Sequence, residues 1–248
     1  MVASTLKGFL MDLHTQSNEI RPWTQQSWAA TESSDRQAEP TMRQEYWPFE
    51  LRTAASREDR DKVLAIRHAA YARHLPASLS GALQQPEATD RLEGVTLLLA
   101  ESSLDGSPLG TMRIQTNRLV PLALEQSYPL PSWMEGKALA EATRLAVTQE
   151  KTSRLVKAAL FKAYYQYCLQ TGIDYMVITA RSPLDRQYER MLFKDVVPGA
   201  GYQPLAHVFN LPHRVMYLNV KQVRRQWEEA QHPLLEFMCY TEHPSLKL

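Results

Sequence analysis

Glu141-Ala142-Thr143-Arg144 lies inside the run Lys137 to Val147, which alternates as a strand does. A carboxylate and a guanidinium in a central strand are costly to bury unless they are paired or put to use. A glutamate there can serve as a base. An arginine's planar fork can grip a carboxylate or phosphate at two points. Strict alternation puts Glu141 and Thr143 on one face and Arg144 on the other, so a shared cleft requires a β-bulge near residues 142 to 145. The face opposite Glu141 carries Ala138, Ala140, Ala142 and Ala146, small enough to let a helix or ligand approach the backbone. Arg113 stands in mid-strand with Thr111 and Gln115 on its face. If the two strands are neighbours, two arginines and one glutamate form a site for an anionic substrate beside a base. Spacing alone fits a structural ion pair more often than a catalytic site.

The elements that must position these residues are readable from periodicity and breakers. Phe49 to Arg52 reads as a first strand. Ser56-Arg57-Glu58-Asp59 reads as a capped helix start, with Val63, Ile66 and Ala70 as its apolar stripe and an end near Tyr71. Pro76 and Gly81 mark a long loop to about Leu92. Val95 to Ala100 is a strand covered on both faces. The turn Asp105-Gly106-Ser107-Pro108 joins it to a second strand, Leu109 to Thr116. Ser153 to Gln170 is a helix that Gly172 ends. A strand follows at Ile173 to Ala180, then a short helix at Leu184 to Phe193. Strands at Tyr202 to Asn210 and Arg214 to Val220, with Pro212 between them, precede a helix at Val223 to Ala230 and an end that frays in polar text. Alternating strands and helices in one half and hairpins in the other predict an α/β fold of the α+β type, a mixed sheet with helices on both faces.

The organisation expected is a polar extension over 1–45, one domain over 46–220, and a C-terminal helix and tail over 221–248. Within the extension Leu6, Phe9, Leu10 and Leu13 have helical spacing, and Trp23 and Trp28 could serve as anchors. Lys plus Arg number 28 against 27 Asp plus Glu, so no global field attracts nucleic acid or an anionic membrane. The two cysteines, Cys168 and Cys239, form no CxxC, which fits a reducing compartment. No apolar run reaches membrane-spanning length and no secretory signal opens the chain, so a cytoplasmic location is expected. His68, His74, His207 and His213 lack metal-ligand spacing, and no metal is expected. Tyr164, Tyr165 and Tyr167 read as core and helix surface.

The run Gly110-Thr111-Met112-Arg113-Ile114, followed by Ala140-Glu141-Ala142-Thr143-Arg144-Leu145-Ala146-Val147 and a helix, resembles the core of the long-chain N-acyl amino acid synthases. More distantly it resembles the acyl-homoserine-lactone synthases, both families being GNAT-like acyltransferases. The likeness spans roughly residues 49 to 220. It implies a GNAT-like mixed central sheet and transfer of an acyl group from a thioester to the amine of a small carboxylate-bearing acceptor. By the resemblance Glu141 is the base, and Arg113 or Arg144 holds the acceptor carboxylate or orients Glu141, with Thr143 beside them. Arg67 and Asp90 match the lactone-synthase pattern in kind and order. Backbone N–H groups near Leu145 to Val147 would meet the oxyanion, and Tyr188 aligns with a tyrosine that protonates the leaving thiol. Tyr71 is the only aromatic residue between Arg67 and Asp90, where the lactone synthases carry several, which argues against an S-adenosylmethionine acceptor. Residues 148–153 contain no glycine for a coenzyme A pyrophosphate. The helix start at Ser153 and Arg154 instead suits the single phosphate of a phosphopantetheine arm, hence an acyl carrier protein donor and no tightly bound cofactor. A lactone-type signal synthase, a coenzyme A-dependent acetyltransferase and a non-catalytic binding module are the alternatives.

Overall fold

A computed structural model describes residues 42–248, so the Leu6–Leu13 spacing and the tryptophans Trp23 and Trp28 lie outside the described residues. Strand β1 (Arg43–Gln44) is followed by β2 (Phe49–Thr53) and helix α1 (Arg57–Tyr71). Ser56 caps α1: its hydroxyl accepts from the Asp59 amide at 3.0 Å, and the Asp59 carboxylate accepts from the Ser56 amide at 3.0 Å. Val63, Ile66 and Ala70 then bury against Leu97, Leu99 and Ala146. The expected loop to Leu92 contains three single turns of helix, at Ala77–Ser80, Gly81–Gln84 and Ala88–Arg91.

The hairpin β3 (Val95–Ser102) and β4 (Pro108–Thr116) leads through two short turns to β5 (Leu139–Val147), then to α2 (Ser153–Gln170) and β6 (Tyr175–Ala180). The remaining elements are α3 (Asp185–Arg190), β7 (Lys194–Asp195), β8 (Gln203–Leu205), β9 (Leu211–Asn219), α4 (Val220–Glu229), β10 (Thr241–Glu242) and β11 (Leu246–Lys247). The main sheet runs β11-β2-β3-β4-β5-β6-β9-β7, with β8 also paired to β9; β1 and β10 form a separate pair. From β2 to β5 the neighbours are antiparallel, whereas β5 and β6 are parallel. Their pairing stops at Ala142 opposite Ile178, and beyond that point the two strands have no paired residues.

Helix α2 lies against one face of the sheet over the main core, where Val156, Ala159, Leu160 and Tyr164 are buried with Ala140 and Ala142. Gly110 makes this approach possible. A Cβ there would meet Val156 Cγ1 at 2.6 Å and Leu160 Cδ1 at 3.3 Å. The Tyr164 hydroxyl donates to the Ala140 carbonyl at 2.5 Å and accepts from the Val177 amide at 3.0 Å, tying helix to both parallel strands. On the opposite face one apolar cluster lies under α1, and a second gathers Leu122, Leu124, Leu139, Val177, Leu205 and Val215. The candidate site fills the seam between them.

Two expectations are corrected. Pro212 does not separate the last strands; it stands in β9 opposite Pro204 of β8, and the turn is Ala206–Val208 with Phe209 and Asn210 in the left-handed region at φ 62° and 55°. Pro212 is tolerated because it lies outside Arg214–Asn219, the stretch of β9 that pairs with β6, and Pro204 because β8 is paired on one side alone. The C-terminal segment does not fray. Leu234, Phe237 and Met238 are buried in the main core, β10 pairs with β1, and β11 extends the sheet beside β2.

Candidate active site

The bulge that the chemistry required is present in β5. Opposite β4, Thr111 pairs with Ala146 and Arg113 with Thr143, so Arg144 and Leu145 together oppose Met112. Arg144 takes up the extra residue at φ 55°. Alternation is therefore reset. Glu141 and Thr143 share their face with Arg144 and Ala146, while Ala140, Ala142, Leu145 and Val147 pack toward the α2 side.

Five charged groups interlock in the seam. Arg144 makes a two-point contact with Glu87, Nε to Oε2 at 2.7 Å and Nη2 to Oε1 at 2.5 Å. Arg113 Nη1 donates to Glu87 Oε2 at 3.0 Å and to Asp90 Oδ1 at 3.1 Å, and its Nε donates to the Thr143 hydroxyl at 2.9 Å. Arg67, reaching in from α1 with 0% exposure, donates from Nη1 to Asp90 Oδ2 at 2.7 Å. Its Nε and Nη2 are buried and find no acceptor among the described residues. Burial would raise the pKa of Glu87 and Asp90, but the hydrogen bonds and charges of the arginines more than reverse this and hold both below the ordinary range. Three guanidiniums thus face two carboxylates, leaving one positive charge in the cluster.

Glu141 stands apart from that cluster. It is 0% exposed and opposite Gln115 in register. Its Oε2 accepts from the Leu124 amide at 3.2 Å, and its Oε1 lies 3.1 Å from His207 Nε2. The expected contact between Glu141 and the arginines is absent; their partners are Glu87 and Asp90. Sequence reasoning missed Glu87, although the Glu87-to-Asp90 spacing is that of a capped turn, and the Glu87 amide does donate to Asp90 Oδ2 at 3.1 Å. It also passed over His207, for which no local pattern exists. The β8–β9 turn delivers that side chain, and with it the His207 carbonyl, which accepts from Arg144 Nη2 at 3.0 Å, and the Phe209 ring, 5.5 Å from the Arg144 guanidinium carbon.

The residues nominated for the thioester occupy the other side of β5. Leu145 and Val147 are half-buried against the main core. Ser153 does not cap α2: its hydroxyl donates to the Thr148 carbonyl and accepts from the Glu150 amide at 2.8 Å, closing the turn and leaving the first-turn amides of α2 without a side-chain cap. Arg154 is exposed there, and Lys157 is half-buried close by, its pKa lowered by burial and by the charge of Arg154. Arg73 of the segment after α1 donates to the Val147 carbonyl at 3.1 Å and adds a third cation. Tyr188 on α3 packs on Phe161 and Phe193 at centroid distances of 5.3 and 5.8 Å. Burial raises its pKa, with a further contribution from Tyr71, which also acts on Arg144. Among the described residues no group of three or more His, Cys, Asp or Glu is placed to hold a metal ion, and no helix is long and apolar enough to cross a membrane.

The comparisons agree with this architecture. The family model described as N-acyl amino acid synthase FeeM matches residues 62–218. The structure of FeeM, an N-acyl amino acid synthase from uncultured soil microbes, superposes with a TM-score of 0.58 at 24% identity, covering 74% of this chain and 96% of that one. BjaI, a CoA-dependent acyl-homoserine lactone synthase solved with SAM and isopentyl-CoA, superposes with a TM-score of 0.54 at 17% identity, covering 79% and 93%. No curated protein matches the chain. The mixed sheet with helices on both faces is the GNAT-like fold.

Proposed function

The chain belongs to the N-acyl amino acid synthase FeeM family and is an N-acyltransferase, and from that premise we propose that it transfers a long-chain acyl group from an acyl carrier protein thioester to the amine of an amino acid or similar carboxylate-bearing acceptor. The observation that carries this reading is the shared seam. A fully buried glutamate and a cluster with one surplus guanidinium charge lie on one face of β5, beside the point where β5 leaves β6.

An acceptor amine attacks only when deprotonated, and Glu141 is the group in the seam free to take that proton. The arms of Arg113 and Arg144 that face Glu87 and Asp90 are already occupied, so the carboxylate of the acceptor is assigned to the unpartnered Nε and Nη2 of Arg67, a pair that matches a carboxylate in shape. Past Ala142 the edge of β5 that faced β6 has no partner strand. Its amides near Leu145 to Val147 supply donors for the oxyanion of the tetrahedral intermediate. Tyr188 on α3 is assigned the proton that the departing thiolate takes up. The phosphopantetheine phosphate takes the uncapped start of α2 at Ser153 and Arg154. Arg73, Arg154 and Lys157 around it suit an acidic carrier protein. Use of such a carrier places the protein in the cytoplasm, where its two cysteines stay unpaired.

The test offers acyl carrier protein and coenzyme A thioesters with a panel of amino acids, and reads product by mass spectrometry. Glu141→Gln is expected to lower kcat by about 100-fold or more, and Arg67→Ala to raise the KM for the amino acid. Wild-type turnover in Glu141→Gln would eliminate the mechanism. Equal turnover with coenzyme A and no carrier protein would reassign the donor.

A further inference from the structure

Two buried polar atoms in the seam face a common problem. Glu141 Oε1 and His207 Nδ1 are inaccessible to solvent and have no hydrogen-bond partner among the described residues, yet Oε1 lies 3.1 Å from the other nitrogen of the same imidazole. The His207 side chain is 4% exposed. We propose that His207 positions Glu141 through a hydrogen bond from Nε2 to Oε1, the two forming a Glu141–His207 dyad in which Glu141 is the base. This rests on the reading of the chain as an amide-forming acyltransferase.

The chemistry asks for a base aimed at the attacking nitrogen. An amino acid arrives as an ammonium. One proton must leave before the nitrogen attacks; a second leaves as the C–N bond forms and the C–S bond breaks. That second proton ends on the departing sulfur. The first has to reach solvent, and amide, thiol and one released proton complete the balance. Glu141 can take a proton from that nitrogen only if its carboxylate is held facing it. A neutral imidazole with its proton on Nε2 donates to Oε1 and fixes which way the carboxylate faces.

The surroundings hold the ring in place. Thr179 of β6 presents Oγ1 at 3.4 Å from Nε2. Arg144 of β5 binds the carbonyl of His207 itself. Glu141 is the ionisable side chain in contact with the imidazole. Arg144 thus links the two halves of the seam: it binds Glu87 with its side chain and fixes the backbone that delivers His207.

Two arms test the dyad. In the turnover assay His207→Ala is expected to lower kcat by about 10-fold or more with KM little changed, and His207→Gln, which keeps a donor for Glu141, to retain most of the wild-type rate. Added imidazole is expected to restore part of the activity of His207→Ala. Combining Glu141→Gln with His207→Ala should cost no more than Glu141→Gln alone, because two members of one unit do not add. Multiplying losses, or wild-type kcat in His207→Ala, overturns the proposal while leaving the acyltransferase reading intact. The second arm needs no turnover. In 15N-histidine NMR of the resting protein, His207 should carry its proton on Nε2, and Glu141→Ala should abolish that preference. A proton on Nδ1, or ring shifts indifferent to residue 141, overturns the dyad whatever the activity. A wild-type protein inactive with every thioester defeats the function instead, and the spectra then judge the dyad alone.

Discussion

Glu87 bears more of the charge balance in the seam than either arginine that the sequence pointed to. It meets Arg144 at two points and Arg113 at one, and lies 3.8 Å from Arg67. Glu87→Ala leaves Arg144 and Arg113, both almost fully buried, short of a counter-charge, and is expected to cost about 3 kcal/mol in urea unfolding. Arg144→Ala should cost less, since Glu87 keeps Arg113. The acid limb of stability carries the same signature. Glu87 sits below its ordinary 4.5 and Asp90 below 3.8, so both bind fewer protons folded than unfolded. Their contribution is complete above those values and drains as the pH falls through them toward the lower folded-state values. The difference in unfolding free energy between wild type and Glu87→Gln should therefore shrink as the pH drops below 4.5; parallel curves would refute the pairing. Glu141 and Arg144 were legible in the sequence because charges interrupt an otherwise apolar strand. Glu87 was not, because an acid in a polar loop looks like solvated surface until the fold turns it inward. His207 had no local signal at all, since its partner is 66 positions away in the chain.

At the scale of elements, helices with clear ends were readable to the residue. Ser56 and Asp59 announced α1, and the stripe from Val156 to Tyr167 with Gly172 beyond it announced α2. The bulge in β5 was called for by chemistry, because only a break in alternation could bring Glu141 and Arg144 to one face. The β8–β9 hairpin was misread because Pro212 passes for a breaker unless it is known to lie outside the stretch of β9 that pairs with β6. One element-level dependence is open to a direct check. Glycine at position 110 lets α2 seat on β4 and β5, and the Cβ of Gly110→Ala would also meet Val147 Cγ1 at 3.2 Å. Since α2 must shift off the sheet to admit it, the variant should lose about 1–3 kcal/mol by chemical denaturation. Because the same helix start is assigned the donor phosphate, the KM for the acyl thioester should rise more than that for the amino acid. An unchanged denaturation midpoint would show that α2 does not sit as close as Gly110 implies.

The whole molecule is closed by a segment beyond the residues that the family model matches. Its apolar residues Leu234, Phe237 and Met238 are hidden among polar neighbours in the sequence, so the tail reads as loose when only composition is weighed. In the fold they cover α2, and Trp227 of α4 donates from Nε1 to the Met191 carbonyl at 3.2 Å. At the centre of the closure Lys162 of α2 is wholly buried. Its Nζ donates to the carbonyls of Phe237, at 2.6 Å, and Thr241, and lies 2.8 Å from His243 Nδ1. Trp47 stacks on the His243 ring at 4.2 Å, so the first described strands and the last ones are clamped around one lysine. Burial lowers the Lys162 pKa from 10.5 to about 8, against the pull of Cys239, Glu45 and Glu242. Below about 8 the ammonium is present in folded and unfolded chains alike, and its effect on stability does not vary with pH. Between about 8 and 10.5 the unfolded chain holds more protons, so stability from this group rises with pH. Lys162→Met should remove that rise and, by stranding two carbonyls, cost about 1–3 kcal/mol at neutral pH. Unfolding free energies of wild type and Lys162→Met across pH 7 to 10 should therefore diverge above pH 8. A constant gap would mean that Lys162 does not titrate where its burial implies, and no gap would mean that the tail is held by its apolar residues alone.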